Sequence, residues 1–305
     1  SASIDEIGNA DLGYVDFTAP QEIVYVDKDP SSNACHTISN AFEVAKGLSI
    51  PHIVVSQGTY NERVSVYGLG NHFQNFILEG SGTVVLHSDV RGCALAITNW
   101  NSDTLDELTI QNIIFEDSDN QGGGGVYLAG NISHVTMNHC TIRNCGDGYE
   151  IQGSNSNPTG LSSSVPVHII DCDFYDNDGH HYGSGCHTLG AVSLTSNGET
   201  NHSIIEDSRF HNNKASNASA IHVSGKGKFT IRDNTFSNNI QKMYVHTSCV
   251  KSTDAQNVEI IGNIFTNNFY PGAEDHGLEA AIGLGRTNSN NPSSVMIKNN
   301  TVVEQ

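Results

Sequence analysis

The sequence predicts an all-β fold, a right-handed parallel β-helix solenoid with a short N-terminal capping helix. Three observations predict it. First, one phrase recurs: "SIIEDSRFHNN" at 203–213, "FTIRDNTFSNN" at 229–239 and "VEIIGNIFTNN" at 258–268. Second, only 15% of residues are charged and 37% apolar, and Gly, Asn, Ser and Thr fill the difference. That composition favours short strands and frequent turns. Third, no repeat holds a helix-length amphipathic segment, which excludes helical arrays, and hairpin-type Asn-Gly turns are scarce, which disfavours propeller blades.

The elements follow in chain order. In "TISNAFEVAKG" (37–47), Ile38, Ala41, Phe42 and Ala45 stand at helical spacing and Gly47 is placed to end the helix. A solenoid needs its open end covered, so this helix is read as the lower cap. The chain is taken as one domain over 1–305, with an N-terminal strand and cap helix in 1–50 and stacked coils over 51–305. "HIVVSQGTYNERVSV" and "FILEGSGTVVLHS" supply the first coils. The first apolar residue of the phrase then recurs as Ile110, Met137, Ile169, Ile205, Ile231, Ile260 and Ile297, at intervals of 27, 32, 36, 26, 29 and 37 residues. Stacked coils place equivalent residues one strand spacing apart, roughly 4.8 Å. The Ile and Phe positions then form interior columns. Ser208, Asn234, Asn263 and Asn300 form a corner column, where Asn is expected to take the left-handed conformation and bond to its neighbours. Cys140 and Cys172 fall in the same column and are read as stacked thiols.

Charge narrows the function classes. Fourteen Lys and Arg face 33 Asp and Glu, a formal charge of −19. Nucleic acid is excluded as a partner, since phosphate binding needs a cationic surface. No apolar run is long enough to span a membrane. The expectation is a secreted or cell-surface protein, its leader already removed. Seven Cys is an odd count, and no zinc spacing occurs.

The strand after the Asn turns carries the candidate chemistry. Between inward apolar residues, one outward position per coil reads Ala96, Tyr127, Glu150, Ser193, His222, Lys251 and Gly283. Such a polar column on one face is a natural groove for a carbohydrate. Tyr127, Glu150 and Ser193, with His181 on a long insertion, are the expected substrate-binding residues. Glu116, Asp117 and Asp119 in "FEDSDNQGGGG", near the acidic turn "DCDFYDNDGHH", could offer oxygens to Ca²⁺, because crowded carboxylates are relieved by a cation.

The N-terminal order, an "IxxAFxxA" helix, then "VSQGTYNERV" (55–64) and "LEGSGTV" (78–84), resembles the pectin-lyase-like β-helix superfamily. The resemblance covers most of the chain. It implies the fold directly, and a carbohydrate-active protein more broadly. "CVKS" with Lys251, followed one coil later by "IGLGR" with Arg286, resembles the alginate-lyase and chondroitinase-B-like members. That likeness implies Lys251 as general base, Arg286 assisting, Ca²⁺ neutralising the substrate carboxylate, and an acidic, uronate-containing polysaccharide cleaved by β-elimination. His222, one coil below, is the neighbour expected to tune Lys251. The chain departs from the pattern at Thr287, where those lyases carry His, and in the insert "FYPGAEDHGLEA". Two alternatives remain. One is a non-catalytic adhesin or glycan-binding β-helix, similar to outer-membrane passenger domains. The other is a polygalacturonase-like hydrolase using Asp147 and Glu150.

Overall fold

A computed structural model describes residues 22–88, 92–117, 124–146, 160–179, 190–196, 198–215, 218–241, 248–268, 281–285 and 294–303. The strands pair in parallel, each with the equivalent strand of the next coil. The result is a parallel β-solenoid with three sheets. A long sheet holds two adjoining rows, exemplified by Lys228–Arg232 in the first and Thr235–Ser237 in the second. A sheet of eight strands runs from Val64–Tyr67 to Ile282–Gly285 and is called the site sheet below. A short three-stranded sheet links the two.

The repeated phrase builds the core. Ile205, Ile231 and Ile260 stack in register, as do Phe210, Phe236 and Phe265. The rings of Phe174, Phe210, Phe236 and Phe265 lie 4.7–5.0 Å apart and within 16° of parallel. Each fully buried ring of this kind removes a large apolar surface from water.

Two corners separate the two rows and end the second. In the first, Cys172, Ser208, Asn234, Asn263 and Asn300 each accept the backbone N–H of the equivalent residue below through Sγ or a side-chain oxygen, at 2.9–3.4 Å. In the second, the Nδ2 of Asn177, Asn213 and Asn239 donates to Oδ1 of the next Asn at 2.8–2.9 Å. The same Nδ2 groups donate to the carbonyls of Ile142, Phe174 and Phe210. The left-handed residues are not the ladder residues themselves. They are the residues just before: Asp171, Asp207, Asp233 and Asn299 at the first corner, and Asp176, Asn212, Asn238 and Asn267 at the second. The division is physical. The exposed residue makes the bend, and the buried Asn is left free to satisfy backbone groups inside. Cys140 and Cys172 stack here as buried thiols.

The cap helix, α1, runs over Ile38–Leu48 and buries Ile38, Ala41, Phe42, Val44 and Ala45. Phe42 stacks on Phe76 of the coil above at 5.3 Å. Gly47 lies inside the helix rather than ending it. Ser49 supplies the left-handed stop, and its N–H meets the last carbonyls. At the helix start, the Glu62 carboxylate accepts from the N–H groups of Ile38 and Ser39 at 2.6 and 3.0 Å and from Ser39 Oγ at 2.6 Å. An anion there is favoured by the exposed N–H groups of the first turn. At the other end, Ile297 and Val302 continue the interior columns but are 49% and 39% exposed. Among the described residues no helix is long and apolar enough to cross a membrane.

Candidate functional site

The outward column of the site sheet is continuous. Register places Ser65, Ala96, Tyr127, Ser162, Ser193, His222, Lys251 and Gly283 on successive rungs. Six of the seven expected column residues occupy the expected places. The seventh is corrected: Ser162, not Glu150, stands between Tyr127 and Ser193. The strand Leu161–Ser163 is only three residues long and follows a long insertion. Its "LSS" has little of the alternation by which the other strands announce themselves. Glu150 itself lies outside the described residues, as do His181, Asp119 and Arg286.

Burial divides the column. Ser193 and His222 are 5% and 7% exposed, whereas Tyr127, Ser162 and Lys251 are half-buried. His222 Nε2 is 3.2 Å from Thr253 Oγ1, diagonally on the next strand. Its Nδ1 is buried without a hydrogen-bond partner. Burial first, and the adjacent Lys251 charge second, push the imidazole down to a pKa of about 4. It is therefore neutral at neutral pH. Burial also lowers the Lys251 ammonium below its ordinary value. Both shifts share one leading cause, the cost of holding charge away from water. The result is a Lys closer to its neutral, proton-accepting form than a solvated one, beside an imidazole that stays uncharged.

A second outward column runs parallel to the first. Thr195 and Ser224 hydroxyls are 3.1 Å apart, and Thr253 follows in register. Hydroxyl rows of this kind offer donors and acceptors to sugar hydroxyls. Among the described residues this face carries no paired carboxylates, the arrangement that glycoside hydrolysis uses.

Of the acidic segment proposed for Ca²⁺, Glu116 is the side chain the structure describes. The Glu116 carboxylate accepts from Arg143 Nε at 2.8 Å, and Arg143 also donates to the Tyr175 hydroxyl at 3.0 Å. Register explains this. Arg143 occupies the rung between Glu116 and Tyr175, so a guanidinium separates the acidic segments that the sequence suggested would crowd. Asp173, two rungs on from Ile114, likewise accepts from Arg209 through Oδ2 at 2.9 Å, and His211 Nε2 lies 3.2 Å from its other oxygen. One Glu116 oxygen is therefore taken up by Arg143, while the Asp117 side chain and Asp119 lie outside what the structure describes. The backbone of Asp117 ends the same strand. Among the described residues no group of three or more His, Cys, Asp or Glu side chains is placed to hold a metal ion.

The sequence missed Thr253 and Ser162. Thr253 was legible in "CVKST" as the next outward position after Lys251, had the second column been followed as well as the first. Comparison with known proteins gives one result. A family described as a right handed beta helix region matches residues 64–249, more than half of the chain, and takes in six of the eight site-sheet strands in full, ending just before Lys251. No curated protein and no solved structure matches.

Proposed function

The chain belongs to the right-handed β-helix family, and from that premise we propose that it is a carbohydrate-active protein, a lyase that cleaves an acidic, uronate-containing polysaccharide by β-elimination. The observation that carries the reading is the pairing of half-buried Lys251 with neutral, buried His222 on a continuous polar column. In this reading the neutral Lys251 Nζ takes the proton on the carbon α to the uronate carboxylate. The electron pair of that C–H bond forms the new C=C bond. The bond from the neighbouring carbon to the glycosidic oxygen breaks, and the leaving oxygen takes up a proton. The base must be uncharged to act, so its lowered pKa favours the step. His222 holds its neutral form and adds no second positive charge, while the Ser193, Thr195, Ser224 and Thr253 hydroxyls orient the sugar. Arg286, one coil on, is proposed to assist with the carboxylate. Ca²⁺ remains a proposal too, and no step is drawn through it, since Glu116 is held by Arg143. A polymer of this kind lies outside the cell or at its surface, and the protein is proposed to act there.

The test is a panel of alginate, polygalacturonate and chondroitin sulfate, each with and without Ca²⁺. Ultraviolet absorbance of the unsaturated uronate end is followed. One substrate should give product, and Lys251→Met should lower the rate by two or more orders of magnitude, in line with loss of a positioned base, about 10²–10⁴-fold. A flat trace on every polymer would remove the lyase reading. A non-catalytic glycan-binding β-helix is the second reading. Favouring it is the hydroxyl-rich face, which needs no reacting group to bind sugars.

A further inference from the structure

At the N-terminal end of the site sheet, far from Lys251, two large aromatic side chains stand out in solvent. Tyr67 is 70% exposed and Trp100 57% exposed. Tyr67 is the outward residue that ends the first strand of the sheet, Val64–Tyr67. Trp100 immediately follows the second strand, Leu95–Asn99, at the corner where that strand leaves the sheet. Tyr127 lies on the third rung of the same face. Between Tyr67 and Tyr127 the intervening rung offers only Ala96 and Thr98, so the floor there is low.

The turn that carries Trp100 is pinned. Asn99 is fully buried, and its Nδ2 donates to the carbonyls of Asp103 and Asn131 at 2.8 and 2.6 Å. Its Oδ1 accepts from Gly70 N–H at 3.0 Å. Asn131 Nδ2 donates to the Ser102 carbonyl at 3.0 Å, and Ser102 Oγ donates to the Trp100 carbonyl at 3.2 Å. Asn71 Oδ1 accepts from Asp103 N–H at 3.0 Å. An indole that serves no core is thus presented on a backbone fixed from three neighbouring turns. A backbone fixed in advance spares the cost of ordering the loop on binding, and an aromatic side chain has only two torsions left to fix.

We infer that Tyr67 and Trp100 form a distal carbohydrate-stacking subsite, which receives the apolar C–H faces of sugar rings at one end of a polymer chain whose other end reaches Lys251. The inference deepens the proposed function and rests on its carbohydrate reading, but not on catalysis. Geometry sets the substrate class. From the rung of Tyr67 to that of Lys251 there are six strand spacings, roughly 29 Å. Only a glycan several rings long can touch both. The ligand is therefore a polymer or a long oligomer, bound along the solenoid axis across the hydroxyl rows. A disaccharide would reach one end or the other. Exposed aromatics flanked by hydroxyl groups match a pyranose, which has apolar faces and a polar rim. They do not match an apolar protein partner, which would require a broader apolar patch.

Trp100 is the only tryptophan of the chain, so its fluorescence reports this subsite alone. The experiment titrates the full chain with alginate, polygalacturonate, chondroitin sulfate and neutral xylan while Trp100 emission is followed. At least one polymer should give a saturable change, and disaccharides of the same sugar should not. Tyr67→Ala, an exposed position that leaves the fold intact by circular dichroism, should weaken that polymer about tenfold. Emission that does not move with any polymer, or affinity unaltered by Tyr67→Ala, overturns the inference. The two readings fail separately. Product formation with a silent Trp100 removes the subsite and spares the lyase. A Trp100 response without product removes the lyase and spares the subsite.

Discussion

His222 is in register between Ser193 and Lys251, buried, with one ring nitrogen near Thr253 and the other unpartnered. Its folded pKa of about 4 lies below the ordinary histidine value of 6.5. Between those values the unfolded chain binds a proton that the folded chain does not, so stability falls as pH drops through that window. The difference amounts to about 3 kcal/mol. Glu206, held below the ordinary carboxylate range by His168 and Arg232 despite its burial, acts in the same direction. Comparing the parent with His222→Asn isolates the imidazole: denaturant unfolding at neutral and mildly acidic pH should show a smaller loss in the variant. Lys251 gives a second expectation of opposite use. Its lowered pKa means the neutral amine appears at lower pH than for a solvated Lys. Turnover should rise with pH and level off below the ordinary Lys range. A rising limb centred at or above that range would show that Lys251 is not the base.

At the scale of elements, the buried Asn of the second corner ties three coils at once. Asn239 accepts from Asn213 N and Nδ2 and donates to the Phe210 carbonyl and to Asn268. Asn239→Ala should cost about 2–4 kcal/mol, measured by chemical denaturation, because it strands buried partners as well as losing its own bonds. Glu62→Ala should cost about 1–2 kcal/mol, since it removes the acceptor for the first N–H groups of the cap helix. These elements were largely readable beforehand. The Ile, Phe and Asn columns were visible because an identical spacing recurs, and stacking converts spacing into contact. The bend itself was misassigned by one residue. Asn, Asp and His all tolerate the left-handed region, so the sequence does not say whether the buried Asn or the polar residue before it turns the chain. In the site sheet, His222 was found because apolar Ile221 and Val223 flank it, and Lys251 because it follows Val250 at the equivalent place in the next coil. Ser162 was lost behind an insertion, and the Arg143–Glu116 pair was missed because only register brings those rungs together.

Across the whole molecule, the coils behave as nearest-neighbour layers. Phe210→Ala should cost about 3–5 kcal/mol, since its ring is sandwiched between Phe174 and Phe236. Because each layer touches only the next, that damage should spread unevenly. Hydrogen exchange should rise most in the coils around Phe210 and least near the cap helix. The geometry of the corners has one more outcome. From Leu105–Gln111 onward, the passage from the first row to the second takes a bend of two residues, locked in the later coils by the ladder. Long excursions such as 147–159, 180–189 and 269–280 fall instead between the second row and the site sheet. The longest insertions therefore gather at one seam, which borders the proposed glycan face. A lineage could rewrite what the protein grips, residue by residue, while its spine stays as it was.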